Sequence, residues 1–531
     1  MSKIVSAQAA VAAIPDGATI ASVGVIGWVT PDLCLKALGD RHRQTGHPSA
    51  LTLYLPVGTG DAMEIRGMDH LAQDGMLKRV VSGSYINPVN PRTGKRPELM
   101  RLIREDKIEA YSWPIGASMH WLREVARKSP GYLTRVGVGT YADPDLGGGK
   151  FTPSAREDLI RKVRFEGEDY LFYPTWPLDV AFIRASSADE FGNLSWEDEA
   201  LVSSNVALAL ATKASGGRVI AQVRRIVARG SRQVPMVRLP GMLVDAIVQD
   251  EAQMMVTETS FDAAYLGGQS MESALARLPR MPFGADKIVA WRAAQELRPH
   301  ELTILGFGAS SDMPLVMAES GQLHAGNARD YWFTTEHGSF GGIVMSGWQF
   351  SANVNPEALL DGATQFDLID GGLCPFAALA FAEFDADGVV NVSRFGTANP
   401  GAGGFIDIAQ NARRLVFCGT FNTGGLEVRV EAGRLFIVSE GRQRKFVPKA
   451  AHVTYRVMDG VAGRGQSALI VTERAVFRVD PGALVVIELA PGIDLHRDVL
   501  DQMQGLPVTV APDVRAMDLS FFEPGREAAA T

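Results

Sequence analysis

The sequence predicts an α/β protein built from two tandem, related domains with a cleft between them. Three observations support this prediction. The chain has 531 residues, more than one ordinary hydrophobic core can organise. Short apolar runs that end in glycine alternate with helical segments along the chain. The order of elements at the start of the chain also recurs, in degenerate form, after residue 285.

Alternating strands and helices run along the whole chain. In the first unit, the run Thr19–Gly24 is followed by the helical segment Pro31–Leu38. Short, mostly apolar runs of this kind are typical of strands that are buried in a sheet. We predict further strands at Leu51–Leu55, Val80–Ser82, Val180–Arg184, Arg218–Val223, Leu302–Leu305, Leu415–Cys418 and Ala468–Thr472.

The chain divides at an aperiodic stretch rich in Gly, Ser, Met, Arg and Pro. Such a composition is typical of an interdomain linker. We predict a first domain over residues 1–270, a linker over 271–286 and a second domain over 287–531. In each half, a helix precedes a strand and a glycine turn, first from Ser6 and again from Ala285. Two related domains leave a cleft between them, where ligands usually bind.

The composition argues against several classes of protein. Hydrophobic residues make up 46% of the chain and charged residues 21%, as in ordinary soluble globular proteins. The formal charge of −8 argues against a nucleic-acid surface, and no apolar run has membrane-spanning length. The N-terminus does not read as a secretory signal, and Cys34, Cys374 and Cys418 lack the spacing of a disulfide framework or zinc site. We expect a cytoplasmic protein with reduced core thiols and no metal.

Glu336 is the strongest candidate for chemistry. It lies in the segment FTTEHGSFGG, residues 333–342, after a β-prone run and among glycines that let a bulky ligand approach the backbone. Ligands of α/β folds bind at strand ends, so we predict a functional carboxylate here.

Two glycine clusters accompany this carboxylate. Leu305–Ser310 lies between a predicted strand and the helical segment Met313–Glu319, where free amides can receive phosphate. A plain tight turn would have the same composition. Gly401–Asp407 indicates either close approach of the backbone to a ligand or a flexible hairpin loop.

Together these motifs resemble class I coenzyme A transferases, in particular the single-chain acetate and propionate CoA-transferase type. The resemblance rests on Glu336 with its glycines, on Leu305–Gly308 and on Gly401–Phe405. It extends over essentially the whole chain, because other segments are similar to family landmarks in family order. These segments are Arg66–Leu71, Gly139–Pro144, Gly167–Leu171, Ala188–Asn193, Val237–Gly241 and Thr472–Phe477.

The resemblance implies a mechanism and its substrates, an acyl-CoA and a carboxylic acid. A glutamate in the place of Glu336 attacks the acyl-CoA to give an acyl-glutamyl anhydride and CoA thiolate. The thiolate then forms a glutamyl-CoA thioester, which an incoming carboxylate resolves. Because nucleophile and substrate are both carboxylates of similar basicity, no ATP is required. The resemblance also implies a homo-oligomer, with coenzyme A as co-substrate.

The resemblance further implies roles for backbone amides around Glu336. Donors to a developing oxyanion would come from Val25, Ile26, Gly27, Gly403 and Gly404. Contacts to coenzyme A would come from Gly306, Phe307, Gly308, Ala309, Gly401 and Ala402.

Anhydrides and thioesters hydrolyse in water, so the site needs dry walls. We predict them among Trp28, Trp113, Ile115, Phe340 and Trp348, although aromatic residues are more often plain core. His337 is expected to be structural, because a carboxylate nucleophile has no proton to lose at neutral pH.

The sequence departs from the family around the expected acyl pocket. Ser82-Gly83-Ser84 replaces a Gly-Gly-His run, Ile115 replaces a glutamine, and Ser310 and Asp370–Pro375 also differ. We therefore expect an acid that is more apolar than acetate or differently shaped. An acyl-CoA thioesterase of the same fold and a non-catalytic ligand-binding module are the alternatives. The second would be expected to carry a DNA-binding segment, and none is visible near either terminus.

Overall fold

The computed structural model describes residues 2–61, 63–85, 90 and 92–523. The helices of the first half are α1 Ala7–Val11, α2 Asp32–Thr45, α3 Glu98–Arg104, α4 Ile115–Arg127, α5 Asn205–Ala214 and α6 Met271–Ala276. Its strands are β1 Thr19–Ser22, β2 Leu51–Leu55, β3 Leu77–Ser82, β4 Glu109–Ser112, β5 Gly131–Thr134, β6 Arg161–Phe165, β7 Glu168–Pro174, β8 Val180–Asp189, β9 Leu194–Ser195, β10 Arg218–Val227, β11 Val237–Leu239 and β12 Ala246–Gln249.

The second half has its own set of elements. Its helices are α7 Ala285–Ala294, α8 Met313–Glu319, α9 Gly362–Asp370, α10 Phe405–Asn411 and α11 Val457–Gly463. Its strands are β13 Leu302–Leu305, β14 Trp332–Thr334, β15 Ser339–Phe340, β16 Ile343–Val344, β17 Asn353–Val354, β18 Ala358–Leu359, β19 Phe376–Ala380, β20 Glu383–Asp385, β21 Val389–Asn391, β22 Arg414–Cys418, β23 Asn422–Thr423, β24 Glu427–Glu431, β25 Arg434–Ser439, β26 Gln443–Arg444, β27 Phe446–Val447, β28 Tyr455–Arg456, β29 Ser467–Val471, β30 Ala475–Asp480, β31 Ala483–Leu489 and β32 Val508–Ala516.

The first half is organised around a mostly parallel sheet. Its first strand, β1, pairs in parallel with β2 on one side and with β8 on the other. The sheet continues through β3 and β4 on the first side, and through β10 and β12 on the second. All ten residues of β8 are buried, as expected for a strand covered on both faces.

The second half repeats this arrangement. Its first strand, β13, pairs in parallel with β14 on one side and β19 on the other, and β22 and β29 extend the sheet beyond β19. Antiparallel strands β30 and β31, followed by β32, then extend it further than the first sheet. The central strand is therefore the first one in both halves, which confirms two tandem, related α/β units.

The predicted strands are all present in the structure. β2 and β13 have the predicted bounds, whereas β8 and β10 extend beyond the predicted ends to Asp189 and Val227. The segment predicted as a linker, 271–286, contains α6 and ends at the start of α7. The domain boundaries themselves stay a prediction.

Apolar clusters fill the space between sheets and helices, and the three cysteines are buried within them with free thiols. The first half also buries an ion pair, in which Arg184 and Glu199 are each 2% exposed. Across the described ranges of the chain, we find no helix that combines the length and the apolarity needed to cross a membrane.

Candidate active site

Glu336 lies in the turn that follows β14. Because β14 runs parallel to its neighbour β13, this turn lies at the carboxyl edge of the sheet, where α/β folds bind ligands. The side chain of Glu336 is 19% exposed, and it faces a cavity between the two halves of the chain. The predicted carboxylate therefore lies at the cleft.

Each carboxylate oxygen of Glu336 has a neighbour. Oε2 accepts a hydrogen bond from the backbone N–H of Gly404 at 3.1 Å. Oε1 lies 3.2 Å from Nε2 of His337, whose side chain is 3% exposed. This close polar contact with a buried imidazole limits the positions that the carboxylate can take. The structural role expected of His337 stays a prediction.

The backbone around Glu336 is held by a buried amide that sequence reasoning missed. Gln365 of α9 donates from Nε2 to the carbonyl of Thr335 at 2.7 Å. The hydroxyl of Thr335 donates in turn to the carbonyl of Ser351 at 2.8 Å. Gln365 is fully buried, so the turn that carries Glu336 is fixed from the protein interior. A lone glutamine offers no sequence signal for this role.

Gly404 contacts Glu336 so closely that a side chain there would displace it. A Cβ atom at Gly404 would lie 2.3 Å from Oε2 and 3.0 Å from Cδ of Glu336. Gly404 also precedes the first residue of α10, so its N–H points out of the start of that helix. An anion is favoured at such a position. The glycine is thus required here by close approach to the carboxylate.

The turn after β1 reaches the same cavity from the first half of the chain. Val25 and Ile26 line the cavity, and Ile26 adopts a left-handed φ of 54°. The N–H of Val25 donates to the carbonyl of Trp28 at 2.9 Å, and that of Ile26 donates to Gly58 at 3.1 Å. Both amides therefore already have acceptors. Gly27 is absent from the cavity wall, since it packs against Thr257. The oxyanion role of this turn stays a prediction.

The glycine turn after β13 forms another part of the cavity wall. Gly306 and Phe307 line it, whereas Gly308 and Ala309 lie outside the lining. The Phe307 side chain is 57% exposed, and its ring meets that of Phe350 edge-on at 5.5 Å. Of the four residues of this turn predicted to contact coenzyme A, two therefore line the cavity and two do not.

The cavity has a volume of about 580 Å³. Gly401, Ala402, Gly403 and Gly404 contribute backbone to its wall. Its apolar side chains come from both halves of the chain and include Val25, Ile26, Val57, Phe307, Trp348, Phe350, Leu379, Phe381, Val392, Phe395 and Phe405. Of the predicted walls, the structure brings Trp348 to the cavity.

Four predicted wall residues lie elsewhere. Trp28 is fully buried, and its indole N–H donates to the carbonyl of Phe350 at 2.9 Å, which supports the wall from behind. Ile115 is also fully buried, with its backbone N–H on the carbonyl of Gly403 at 3.1 Å. Phe340 lies in β15, outside the lining.

Trp113 is the fourth of these residues and belongs to an aromatic core. It is fully buried, and its ring lies 4.9 Å from Tyr173 and 5.4 Å from Trp176. Residue type alone could not separate this core tryptophan from a wall, because both environments favour large apolar side chains.

A second carboxyl group is buried behind the glycine loop. Asp407, in the first turn of α10, is fully buried, and in the described part of the chain neither of its oxygens has a hydrogen-bond partner. It packs against α4, since a Cβ at Gly116 would lie 2.1 Å from its Oδ1. Burial above all, then the charge of Asp370 and lastly that of Glu336, raises the pKa of Asp407 well above its usual range.

Comparisons with known proteins show which family the chain is similar to. A family model described as coenzyme A transferase matches residues 4–250. Caffeate CoA-transferase of Acetobacterium woodii is 38% identical over 532 aligned residues, which cover 98% of each chain. Acetate CoA-transferase YdiF of Escherichia coli strain K12 is 36% identical, over 98% of this chain and 95% of that one.

A solved structure has the same fold over nearly the whole chain. The crystal structure of the acyl-CoA transferase YdiF from E. coli O157:H7, a thioester complex with CoA, matches with a TM-score of 0.87 and 34% identity. The match covers 98% of this chain and 96% of that one.

Proposed function

The chain belongs to the coenzyme A transferase family and is a CoA-transferase, and we propose that it works by a ping-pong mechanism through a glutamyl-CoA thioester on Glu336. One observation carries the proposal. The Glu336 carboxylate faces an apolar cavity, held by the Gly404 amide and by His337. No Lys or Arg within the described ranges forms an ion pair with it, so its lone pairs are not tied to a cation.

The first half of the reaction begins with attack of a Glu336 oxygen on the acyl-CoA carbonyl carbon. The C–S bond breaks, the electron pair leaves with the CoA sulfur, and an acyl-glutamyl anhydride forms. The thiolate then attacks Cδ of Glu336, releases the donor acid as a carboxylate and leaves the glutamyl-CoA thioester. No proton is transferred in these steps, so His337 is needed only to orient the carboxylate.

The amide of Gly404 has a part in the steps at Cδ. When the thiolate adds to Cδ, negative charge develops on the glutamyl oxygen that accepts from this N–H. A backbone donor aimed at an oxyanion in a site that excludes water contributes roughly 2.7–4 kcal/mol to lowering a barrier. The turn of Val25, Ile26 and Gly27 could stabilise the charge on the acyl-CoA carbonyl oxygen only if the amides of Val25 and Ile26 left the acceptors that they have in this structure.

The walls of the cavity suit a reaction that water would destroy. Phe381, Phe395, Phe405 and Trp348 line the same cavity as Glu336. Both covalent intermediates hydrolyse readily, so apolar walls favour transfer to the acceptor acid over loss to water.

The same walls support an acyl group that is larger and more apolar than acetyl. Ile115 and Trp113, from which this expectation first arose, are buried away from the cavity. The aromatic side chains that line the cavity support an acyl group of this kind instead. Among the relatives, one is named for caffeate and another for acetate, and an aromatic lining suits the larger acid better.

Intact-protein mass measurement tests the mechanism. The enzyme is mixed with an acyl-CoA and no acceptor acid, and then quenched and mapped. We expect a CoA-sized adduct on Glu336, which forms faster with an aryl-substituted acyl-CoA than with acetyl-CoA. Glu336→Ala should lose the adduct and about 10⁴-fold or more of the turnover. Glu336→Asp should lose most activity, since its carboxylate retreats by one methylene.

Glu357→Ala is the matched control, because this glutamate is 55% exposed and outside the cavity lining. It should keep both adduct and turnover. Normal turnover in Glu336→Ala would refute the mechanism. Release of CoA at the same rate with and without an acceptor acid would instead identify a thioesterase. The cytoplasmic location and the homo-oligomeric state stay predictions.

A further inference from the structure

Each of the four backbone N–H groups in the loop Gly401–Gly404, which contacts Glu336, donates a hydrogen bond. The N–H of Gly401 donates to the carbonyl of Ser393, and that of Gly403 donates to the carbonyl of Gly83, each at 3.1 Å. The N–H of Gly404 donates to Glu336. Backbone carbonyls thus fix the loop at two points, and no substitution removes them.

The remaining amide of the loop has a side chain as its acceptor. The N–H of Ala402 donates to the hydroxyl oxygen of Tyr141 at 3.2 Å. The same hydroxyl forms a hydrogen bond of 2.8 Å with Oγ of Ser112. Ser112 packs directly under the loop, since a Cβ at Gly401 would lie 2.7 Å from its Oγ. A pair of hydroxyls from the first half of the chain therefore supports a loop of the second half.

Tyr141 has little freedom to move. It is 1% exposed, and its own N–H donates to the carbonyl of Val453 at 2.7 Å. Its ring is stacked on His452, with centroids 4.5 Å apart and an interplanar angle of 21°. The residue lies in Gly139–Pro144, a segment that resembles the family and to which the mechanism assigns no role. Its hydroxyl is thus a fixed reference point for the loop.

We propose that Tyr141 is a positioning residue for CoA transfer, whose hydroxyl fixes the loop Gly401–Gly404 so that the Gly404 amide meets Glu336. The proposal rests on the proposed role of Glu336. Without the hydroxyl, the buried N–H of Ala402 has no acceptor, and the loop can recover one only by rotating. Gly401 and Gly403 already have φ values of 77° and 60°, and glycine has wide conformational freedom. The rotation would carry the Gly404 amide away from Glu336.

The test is Tyr141→Phe in the full-length enzyme, which removes the hydroxyl and keeps the ring. We expect kcat to fall about tenfold, the size of effect that follows from one lost buried hydrogen bond, with KM within about twofold of wild type. The adduct should still form on Glu336, but about tenfold more slowly, as followed by quenched-flow mass measurement. A merely structural role would lower the melting temperature and leave the rate per folded molecule unchanged.

Tyr54→Phe is the matched control. Tyr54 is also fully buried, and its hydroxyl donates to one backbone carbonyl, that of Ser118, at 2.8 Å, away from the loop. It should lower the melting temperature to a similar extent and leave kcat unchanged. If Tyr141→Phe does not fold, the kcat and KM of Ser112→Ala test the proposal instead. A fall in kcat of threefold or more at unchanged KM supports the proposal, and an unchanged kcat overturns it.

The two proposals fail in different ways. A wild-type enzyme without an adduct on Glu336 overturns the proposed function. An adduct that forms at the same rate in wild type and in Tyr141→Phe overturns the positioning role alone, as does a change confined to KM.

Discussion

Two glutamates, one buried in the first half of the chain and one half-buried at the cleft in the second, show how surroundings decide what a carboxylate does. Glu199 in the first half is 2% exposed and bound by Arg184, with Nε to Oε1 at 2.9 Å and Nη2 to Oε2 at 3.1 Å. Gln253 donates to it as well. Glu336 in the second half has one backbone amide and one histidine, and it faces a cavity. The Glu199 carboxylate accepts hydrogen bonds on both oxygens and is structural, whereas the Glu336 carboxylate accepts one and keeps lone pairs that can attack a substrate.

The starts of two helices show the same contrast. In the first half, the N–H groups of Leu33 and Cys34 in α2 both donate to the side-chain oxygen of Gln222. In the second half, the N–H of Gly404 at the start of α10 donates to Glu336 instead. A helix start favours an acceptor in both places. In the first half that acceptor is an internal amide, and in the second it is the proposed nucleophile.

Exchanging each glutamate for glutamine should give opposite results, and this is the largest expected effect. Glu336→Gln should fold normally and lose about 10⁴-fold or more of the turnover, because an amide is a poor nucleophile. Glu199→Gln should keep turnover per folded molecule and lose roughly 3–5 kcal/mol of the free energy of unfolding, since the Arg184 charge is left buried and uncompensated. Steady-state kinetics and denaturant titration measure the two effects.

The contrast between the two glutamates would be wrong if either substitution caused the loss that is expected of the other. A Glu199→Gln enzyme that is fully folded and inactive would place Glu199 in the chemistry. A Glu336→Gln enzyme that loses several kcal/mol of stability would make Glu336 a structural residue.

The fold was largely predictable from the sequence, because buried parallel strands such as β2 and β13 read as short apolar runs. The repeat was predictable for the same reason. Glu336 was identified because a carboxylate at a strand end among glycines is an unusual pattern. These signals come from residues that are neighbours in the chain, so a single sequence contains them.

The supporting residues were not predictable, because their roles depend on contacts between distant segments. Tyr141 and Ala402 are 261 positions apart, and Gln365 reaches Thr335 from another element. Trp113 and Trp348 have the same side chain, but one is core and the other is wall. Nothing in residue type or spacing distinguishes them. Only the packing of the two halves decides which aromatic faces the cavity.

Gly404→Ala should sharpen the comparison by crowding Glu336 without removing it. The new Cβ would lie 2.3 Å from Oε2, so the carboxylate must move, and a displacement of about 1 Å can cost roughly 10²-fold in rate. The backbone itself tolerates alanine, since Gly404 has a φ of −84°. We expect kcat to fall about 10²-fold with little change in melting temperature.

Gly463→Ala is the control for this substitution. Gly463 is the last residue of α11, and a Cβ there meets nothing within 4 Å. It should leave both kcat and melting temperature near wild type. If Gly404→Ala were as active as Gly463→Ala, the Gly404 amide would not hold Glu336 during catalysis.

Asp407 extends the comparison to a carboxyl group whose oxygens have no hydrogen-bond partner among the described residues. It is fully buried, and burial, with the charges of Asp370 and Glu336, raises its pKa well above the usual range. Between the unfolded and the raised folded pKa, the folded protein therefore keeps the proton on Asp407, while the unfolded chain releases it above about pH 4. Stability is fully present below that pH and is lost as the pH rises towards the folded pKa, by up to about 1.4 kcal/mol per pH unit.

Asp407→Asn should remove this dependence, because its amide is neutral at every pH and has nearly the same shape. The difference in melting temperature between this variant and wild type should therefore grow in favour of the variant from pH 5 to pH 8, as measured by thermal unfolding at three pH values. Asp501→Asn removes an exposed carboxylate, so its difference from wild type should stay constant over the same range. A constant difference for Asp407→Asn as well would mean that Asp407 is ionised in the folded protein. In that case the region behind Gly404 would carry a second negative charge close to Glu336, and the loop would have to stabilise two carboxylates instead of one.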